Sequence, residues 1–313
     1  MADTDTAVLP GRTPVRPGGA SPVRRRGRRS RRLIALLYIA PAALVYLGFA
    51  IWPAIHTVYL SFLNWDGILP ATWAGFDNYR AIFTDSMLGP SVWHAIVLIL
   101  FFAVIPCALG LFMTALLQGT TRGMTTFRVI FFLPQVLPLV AVGITWRWLY
   151  NDEGLVNQGL RAIGLDGVTR AWLGDYNLAL IALGFIGTWA MSGLCMVLFL
   201  AGAQKIDTSL YEAVAIDGGG PVRRFFAVTL PALRGEITIA SVITTIAALA
   251  SFDLVFVTTN GGPANQTTVP GLLVYRLAFN ESNIGGAAAL AVVLTLVVIV
   301  FVTAIRRLTR EKP

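Results

Sequence analysis

Charge is scarce in this 313-residue chain: only 13% of its residues are Asp, Glu, Lys or Arg, against roughly 25% in an ordinary soluble domain. Hydrophobic residues make up 56%. A large soluble protein with an apolar core would show amphipathic periodicity, and the long apolar runs here lack it. The composition reads as a multispanning membrane protein. Cysteine is nearly absent. Cys107 and Cys195 both lie inside apolar runs, so no disulfide framework is implied and both read as packing residues. The two histidines, His56 and His94, lack the carboxylate or cysteine neighbours of a metal site. No lysine follows Gly218-Gly219-Gly220, where the chain continues Pro-Val-Arg. A phosphate-cradling loop needs that lysine in a strand-to-helix setting, so the chain binds no ATP by a P-loop. No cluster of catalytic or metal-binding residues is visible, which argues against an integral-membrane enzyme.

What is present is basic. The net charge is +8, and nine arginines lie between Arg12 and Arg32, just before the first apolar run. Basic residues beside a span are topology signals more often than nucleic-acid contacts, so no nucleic-acid partner is assigned. Residues 1–32, rich in Pro, Gly, Ser, Thr and Arg, read as a disordered cytoplasmic tail. The run from Leu33 is too long for a signal-peptide core and has no prompt cleavage site. It reads as a span that stays.

Six spans are expected within residues 33–313, on the basis that about 20 apolar residues cross a bilayer. The first is Leu33–Leu63, which Pro41 and Pro53 kink or unwind. The others are Ser91–Leu117 with Pro106, Phe127–Leu149 with Pro134 and Pro138, Leu178–Ala201, Glu236–Thr258, and a last one from Ala287 to before Arg306. The connection Asn64–Pro90 holds Trp65, Trp73 and Tyr79, aromatic residues of the membrane–water boundary. With both termini, the 118–128 connection and the 203–236 loop placed in the cytoplasm, 19 of the 24 Lys and Arg residues fall there, as the positive-inside rule requires. No inverted repeat is evident, and charged residues within spans are few, chiefly Arg147 and Asp253. Both points weaken an ATP-independent secondary carrier.

Between spans four and five lies a polar island, Tyr211–Pro231. Ser209 and Glu212 have capping-box spacing, and Leu210, Ala213, Val214 and Ile216 give helical apolar spacing. Gly218-Gly219-Gly220 stops that helix, Pro221 suits the first turn of a second one, and Pro231 breaks the helix beyond it. A capped helix–turn–helix kept between membrane spans suits docking to a soluble partner.

The residues Glu212-Ala213, Asp217-Gly218, Phe225 and Leu230-Pro231 resemble the EAA loop of permease subunits of binding-protein-dependent ABC importers. Two positions depart from that pattern: Val214 and Gly219 each stand where alanine is usual. The stretch from Ser251 through Gly261-Gly262-Pro263 to Phe279, and Gly75-Phe76-Asp77-Asn78-Tyr79, are similar to the carbohydrate-uptake branch. The resemblance implies an all-α fold of six transmembrane helices in the plasma membrane. Its loop, 203–235, would lie in a cleft of a nucleotide-binding subunit. It further implies alternating access, a second related permease, a dimer of ATPase subunits that hold ATP and Mg, and an extracytoplasmic solute-binding protein. No cofactor is expected on this chain, and membrane lipid is among its expected partners. The implied cargo is a sugar or oligosaccharide, with another polar solute, such as a glycerol phosphate diester, as the alternative.

Sugar sites combine an aromatic platform with hydroxyl and amide groups. Trp189, Met191 and Ser192, beside Gly187 and Gly193, fit such a site in span four; small residues and Trp in a span serve helix packing equally well. Phe252 and Asp253 are the candidates in span five. An acid within a span marks a pathway or a partner, unless it lies close enough to the surface to be hydrated.

Overall fold

The computed structural model describes residues 27–117 and 122–309. Residues 1–26 of the expected tail lie outside them, and a helix, Gly27–Tyr46, is described from there on. The chain divides into two compact units, Met1–Ala54 and Ile55–Pro313. In the first unit none of residues 37–54 is buried. The second unit holds the packed bundle and the polar loop.

Helix dominates because the bilayer core leaves no water for unpaired backbone groups. Among the described residues, the helices long and apolar enough to cross a membrane are Leu37–Leu60, Leu88–Leu117, Ala179–Ala203 and Ile284–Leu308. Two bent pairs raise the number to six if each counts as one span: Gly123–Val136 with Leu139–Leu149, at 101°, and Pro221–Ala232 with Arg234–Leu249, at 69°. The small exception to helix is a two-residue antiparallel pairing of Leu63–Asn64 with Thr72–Trp73.

Proline shapes these helices in two ways. Pro41 and Pro134 lie inside continuous helices, whereas before Pro53, Pro106 and Pro231 the turn widens to a π-turn. The N–H of Trp52 reaches Leu47 O before Pro53, that of Ile105 reaches Leu100 O before Pro106, and that of Leu230 reaches Phe225 O before Pro231. Proline lacks an N–H and its ring crowds the carbonyl four residues back, so a wider turn relieves the clash without ending the helix. At Pro138 the helix breaks. The expected span Phe127–Leu149 is therefore carried by two helices, since the residue before proline is driven out of the helical region and Pro138 itself is extended at ψ 135°.

The fifth span is divided too. Glu236–Thr258 is not one helix: Arg234–Leu249 ends at Ala250, and a short helix Phe252–Thr258 follows. That short helix packs on Leu139–Leu149. Gly143 permits the approach, because a Cβ there would lie 2.5 Å from Val257 Cγ2. The second halves of two broken spans thus meet each other.

Span four, Ala179–Ala203, is the axis of the bundle, with 72% of its most apolar window buried against 17% for Ile284–Leu308. It is faced by rings and backbone at its glycines. A Cβ on Gly187 would lie 2.0 Å from Phe102 Cε2, and one on Gly193 would lie 2.2 Å from Phe131 O. Close approach by small residues is how spans pack when lipid is as apolar as the helices. Cys107 and Cys195 are buried here as free thiols with sulfurs 3.8 Å apart.

At the end opposite the polar loop, the connections are tied down by polar contacts. His94 Nδ1 pairs with Thr268 O at 2.8 Å, Asn78 donates to Leu63 O at 2.8 Å, and Gln266 Nε2 donates to Tyr176 Oη at 2.7 Å.

Candidate functional site

The polar island folds as a helix, a glycine turn and a second helix. The first helix is Thr208–Ile216, and its cap is Asp207, not Ser209. The Asp207 carboxylate accepts the Ser209 N–H at 2.9 Å, which places Ser209 inside the helix and corrects the expected capping box. A carboxylate two residues earlier satisfies the same orphan donors and also favours the positive helix end. The Ser209 N–H and hydroxyl hold the Asp207 carboxyl below the usual carboxylate range. The contribution of this cap is complete above the ordinary Asp range and disappears as pH falls through the lowered value. Amide exchange at Ser209 is therefore expected to stay slow down to the ordinary Asp range and to quicken below it. In Asp207→Ser it should not show that acid-induced step.

The turn is built on Gly218 and Gly219. Gly218 takes φ +75°, a left-handed conformation that glycine adopts without penalty. The Gly219 N–H then closes on Val214 O at 2.8 Å, a helix-ending bond of the Schellman type. A Cβ on Gly219 would lie 2.5 Å from Val214 Cγ1 and 2.7 Å from Val214 O. The two departures from the family pattern thus meet at one contact: valine at 214 fills the space that alanine at 219 would need. Gly219→Ala is expected to destabilise the turn by about 1–3 kcal/mol through overpacking. Adding Val214→Ala should recover part of that loss, leaving the clash with the carbonyl, as read by amide exchange across Ala213–Gly220.

Pro221 opens the second helix after Gly220, and Pro221–Ala232 continues through the π-turn at Phe225–Thr229. Tyr211 Oη and Thr229 Oγ1, 3.0 Å apart, join the two helices, and Arg224 Nε donates to Gly219 O at 3.2 Å. Glu212, Ala213, Asp217, Gly218 and Pro231 are exposed or half-exposed, while Phe225 and Leu230 are half-buried. The structure therefore brings the whole resembling motif together on one solvated element. It adds Ile216, whose apolar side chain is 86% exposed beside the turn. In the sequence Ile216 reads only as an apolar helix residue; its position directly before the acid and the glycine turn was the available signal.

The aromatic residues considered for a solute path fall in two ring groups, although Met191 and Phe252 share one apolar core. Trp189 is 41% exposed and its ring lies 5.5 Å from that of Trp146, which in turn meets Tyr150. Met191 and Ser192 are buried, and Ser192 Oγ donates to Trp189 O at 3.2 Å. Phe252 belongs to a different aromatic group, 5.2 Å from Phe256 and 5.4 Å from Tyr275. Asp253 is exposed. Ser251 lies at the break of the fifth span, 1% exposed, and its Oγ has no hydrogen-bond partner among the described residues. Gln135 Oε1, just before the break of the third span, is likewise buried and without a partner among the described residues. Gln135 did not stand out in the sequence; a lone amide inside an apolar run was its only signal.

Three comparisons bear on this arrangement. Residues 107–311 match the family described as binding-protein-dependent transport system inner membrane component. The chain is 35% identical over 268 residues to the sulfoquinovosyl glycerol transport system permease protein SmoG of Agrobacterium fabrum, covering 84% of this chain and 86% of the relative. It is 32% identical over 296 residues to the diacetylchitobiose uptake system permease protein NgcF of Streptomyces coelicolor, covering 90% and 84%. In fold it is similar to a chain of a bacterial alginate ABC transporter solved with an alginate pentasaccharide-bound periplasmic protein. The TM-score is 0.76 at 20% identity, over 93% of this chain and 100% of that one. With its apolar helices and its capped polar loop, the chain is a multi-pass membrane protein that belongs to the family of binding-protein-dependent transport system inner membrane components.

Proposed function

We propose that this chain is one permease subunit of an ATP-driven importer of a sugar or oligosaccharide, and that its 203–235 loop is the element an ATPase subunit grips. The observation that carries this is the self-contained helix–turn–helix, with Glu212, Asp217 and Ile216 turned to solvent. It is joined to the spans through the bend between Pro221–Ala232 and Arg234–Leu249. Such a rigid lever, hinged at Leu233, converts displacement by a partner into tilt of span five. The charge distribution supports placing this end in the cytoplasm, since that assignment puts 19 of the 24 Lys and Arg residues there.

In this mechanism the chain makes and breaks no covalent bond. ATP and Mg belong to a dimer of partner ATPase subunits, whose closure pulls the loop. A second, related permease completes the pathway, and an external binding protein delivers the solute at the opposite end. The sugar assignment rests on the saccharide-related names of the relatives. Trp189 supplies an apolar ring face. The breaks at Gln135 and Ser251 supply polar atoms that lack partners among the described residues, which costs free energy unless a bound solute or water satisfies them. Met191, Ser192 and Phe252 stand behind these groups as packing, and Asp253 sits toward the mouth.

The test is uptake by vesicles holding the complete transporter, with ATP inside and the binding protein outside, against a panel of labelled mono- and oligosaccharides. Uptake of at least one saccharide that needs both ATP and binding protein is expected. Uptake of none, with a polar non-sugar solute transported instead, overturns the sugar assignment.

A further inference from the structure

A cavity of about 830 Å³ opens between the last turns of span two and the second helix of the polar loop. That volume lies within the roughly 300–1,000 Å³ of small-molecule sites. Its walls are apolar, with Ala108, Phe112 and Ala115 on one side and Val222 and Phe226 on the other. Phe112, Leu116, Val222 and Phe226 are each more than half exposed, at 61%, 60%, 71% and 61%. Arg224 is the one charged residue of the lining. Its Nε is pinned to Gly219 O, and among the described residues no carboxylate pairs with it. Arg223 precedes it on the same helix and is exposed. An apolar slot with a single fixed guanidinium at the membrane–water boundary has the complementarity of an amphiphile with a negative head and an apolar tail.

We propose that this crevice holds one anionic phospholipid of the cytoplasmic leaflet, its acyl chain in the slot and its phosphate on Arg224. Basic pockets beside spans on the cytoplasmic side recognise anionic head groups in this way, and each buried methylene adds apolar contact. Because one wall is the polar loop itself, the lipid fills the gap between the lever and span two, and its presence stiffens the transfer of motion. The assignment rests on the proposed orientation of the loop toward the cytoplasm, yet lipid retention is read without any transport.

The complete transporter, purified in mild detergent, is examined by native mass spectrometry for bound phosphatidylglycerol. Wild type is compared with Ala115→Trp, which fills the slot from an exposed position, and with Arg224→Gln. Wild type is expected to retain the lipid and Ala115→Trp to lose it. Arg224→Gln should hold it about fivefold more weakly, the value of one Arg–head-group contact, with phosphatidylcholine retention unchanged. In vesicles, phosphatidylglycerol should stimulate the ATPase of wild type and not that of Ala115→Trp. Equal retention by all three proteins overturns the proposal. So does a benzoylphenylalanine at Leu116 that crosslinks to the second permease or the ATPase and not to lipid. If lipid retention behaves as expected while uptake fails for every sugar, the crevice stands and the cargo reading falls.

Discussion

Replacing Glu212 by alanine is expected to cut ATP-dependent uptake roughly thirtyfold, the consequence of losing about 2 kcal/mol at a docking hot spot. Glu212 is exposed on Thr208–Ile216, and among the described residues its carboxylate makes no hydrogen bond or ion pair within the chain. Its removal leaves the cap at Asp207, the turn at Gly218 and the Tyr211–Thr229 contact untouched. A loss of uptake therefore reports a partner and not a collapsed loop. The check is uptake together with ATPase stimulation by loaded binding protein, in vesicles matched for permease content. Both should fall while the amount of assembled complex stays at the wild-type level. Unchanged uptake in Glu212→Ala removes that carboxylate from the coupling contact.

A large effect on assembly is expected at Gly193. A Cβ there would lie 2.2 Å from Phe131 O and 2.9 Å from Phe132 Cα. Both atoms are backbone of span three, so no side-chain rotation relieves the clash and the two spans must part. Overpacking costs about 1–3 kcal/mol when a core relaxes, and a marginally stable fold tolerates little of that. Gly193→Ala is expected to lower the melting temperature of the detergent-solubilised complex and to reduce its yield from membranes severalfold. Gly159→Ala, at a position with nothing within 4 Å, is the matched control and should behave as wild type. Equal stability of the two variants would show that spans three and four are not in the contact described.

Why some features were legible and others not depends on how far their causes reach along the chain. The helix–turn–helix was readable because its determinants are local: Gly218 takes the left-handed turn and Pro221 starts the next helix within a few residues. The cap lies two positions before the one the spacing suggests, since Asp207 and Ser209 both carry suitable acceptors and only the backbone geometry selects the carboxylate. Pro53, Pro106 and Pro231 were visible as disturbances, but proline alone does not distinguish a π-turn that carries a helix through from a break. At Pro138 the outcome is a break of 101°, where the short second half packs on Phe252–Thr258. The break at Ala250–Ser251 has no proline at all. It accompanies a packing contact between Gly143 and Val257, which no local pattern announces. Gly187 and Gly193 fit either a sugar site or helix packing by sequence, and their contacts with Phe102 and Phe131 support packing. The crevice beside Arg224 was invisible for the same reason as the breaks, because its two walls lie far apart in sequence.

The central claim is that an ATPase subunit grips the Thr208–Ala232 element. Ile216, 86% exposed at the end of the first helix and outside the lipid crevice, is the position to interrogate. Benzoylphenylalanine placed there in the complete transporter and irradiated in native membranes is expected to give one adduct containing the ATPase subunit, increased when ATP is bound. An adduct confined to lipid, or to the second permease, in every nucleotide state would contradict the account.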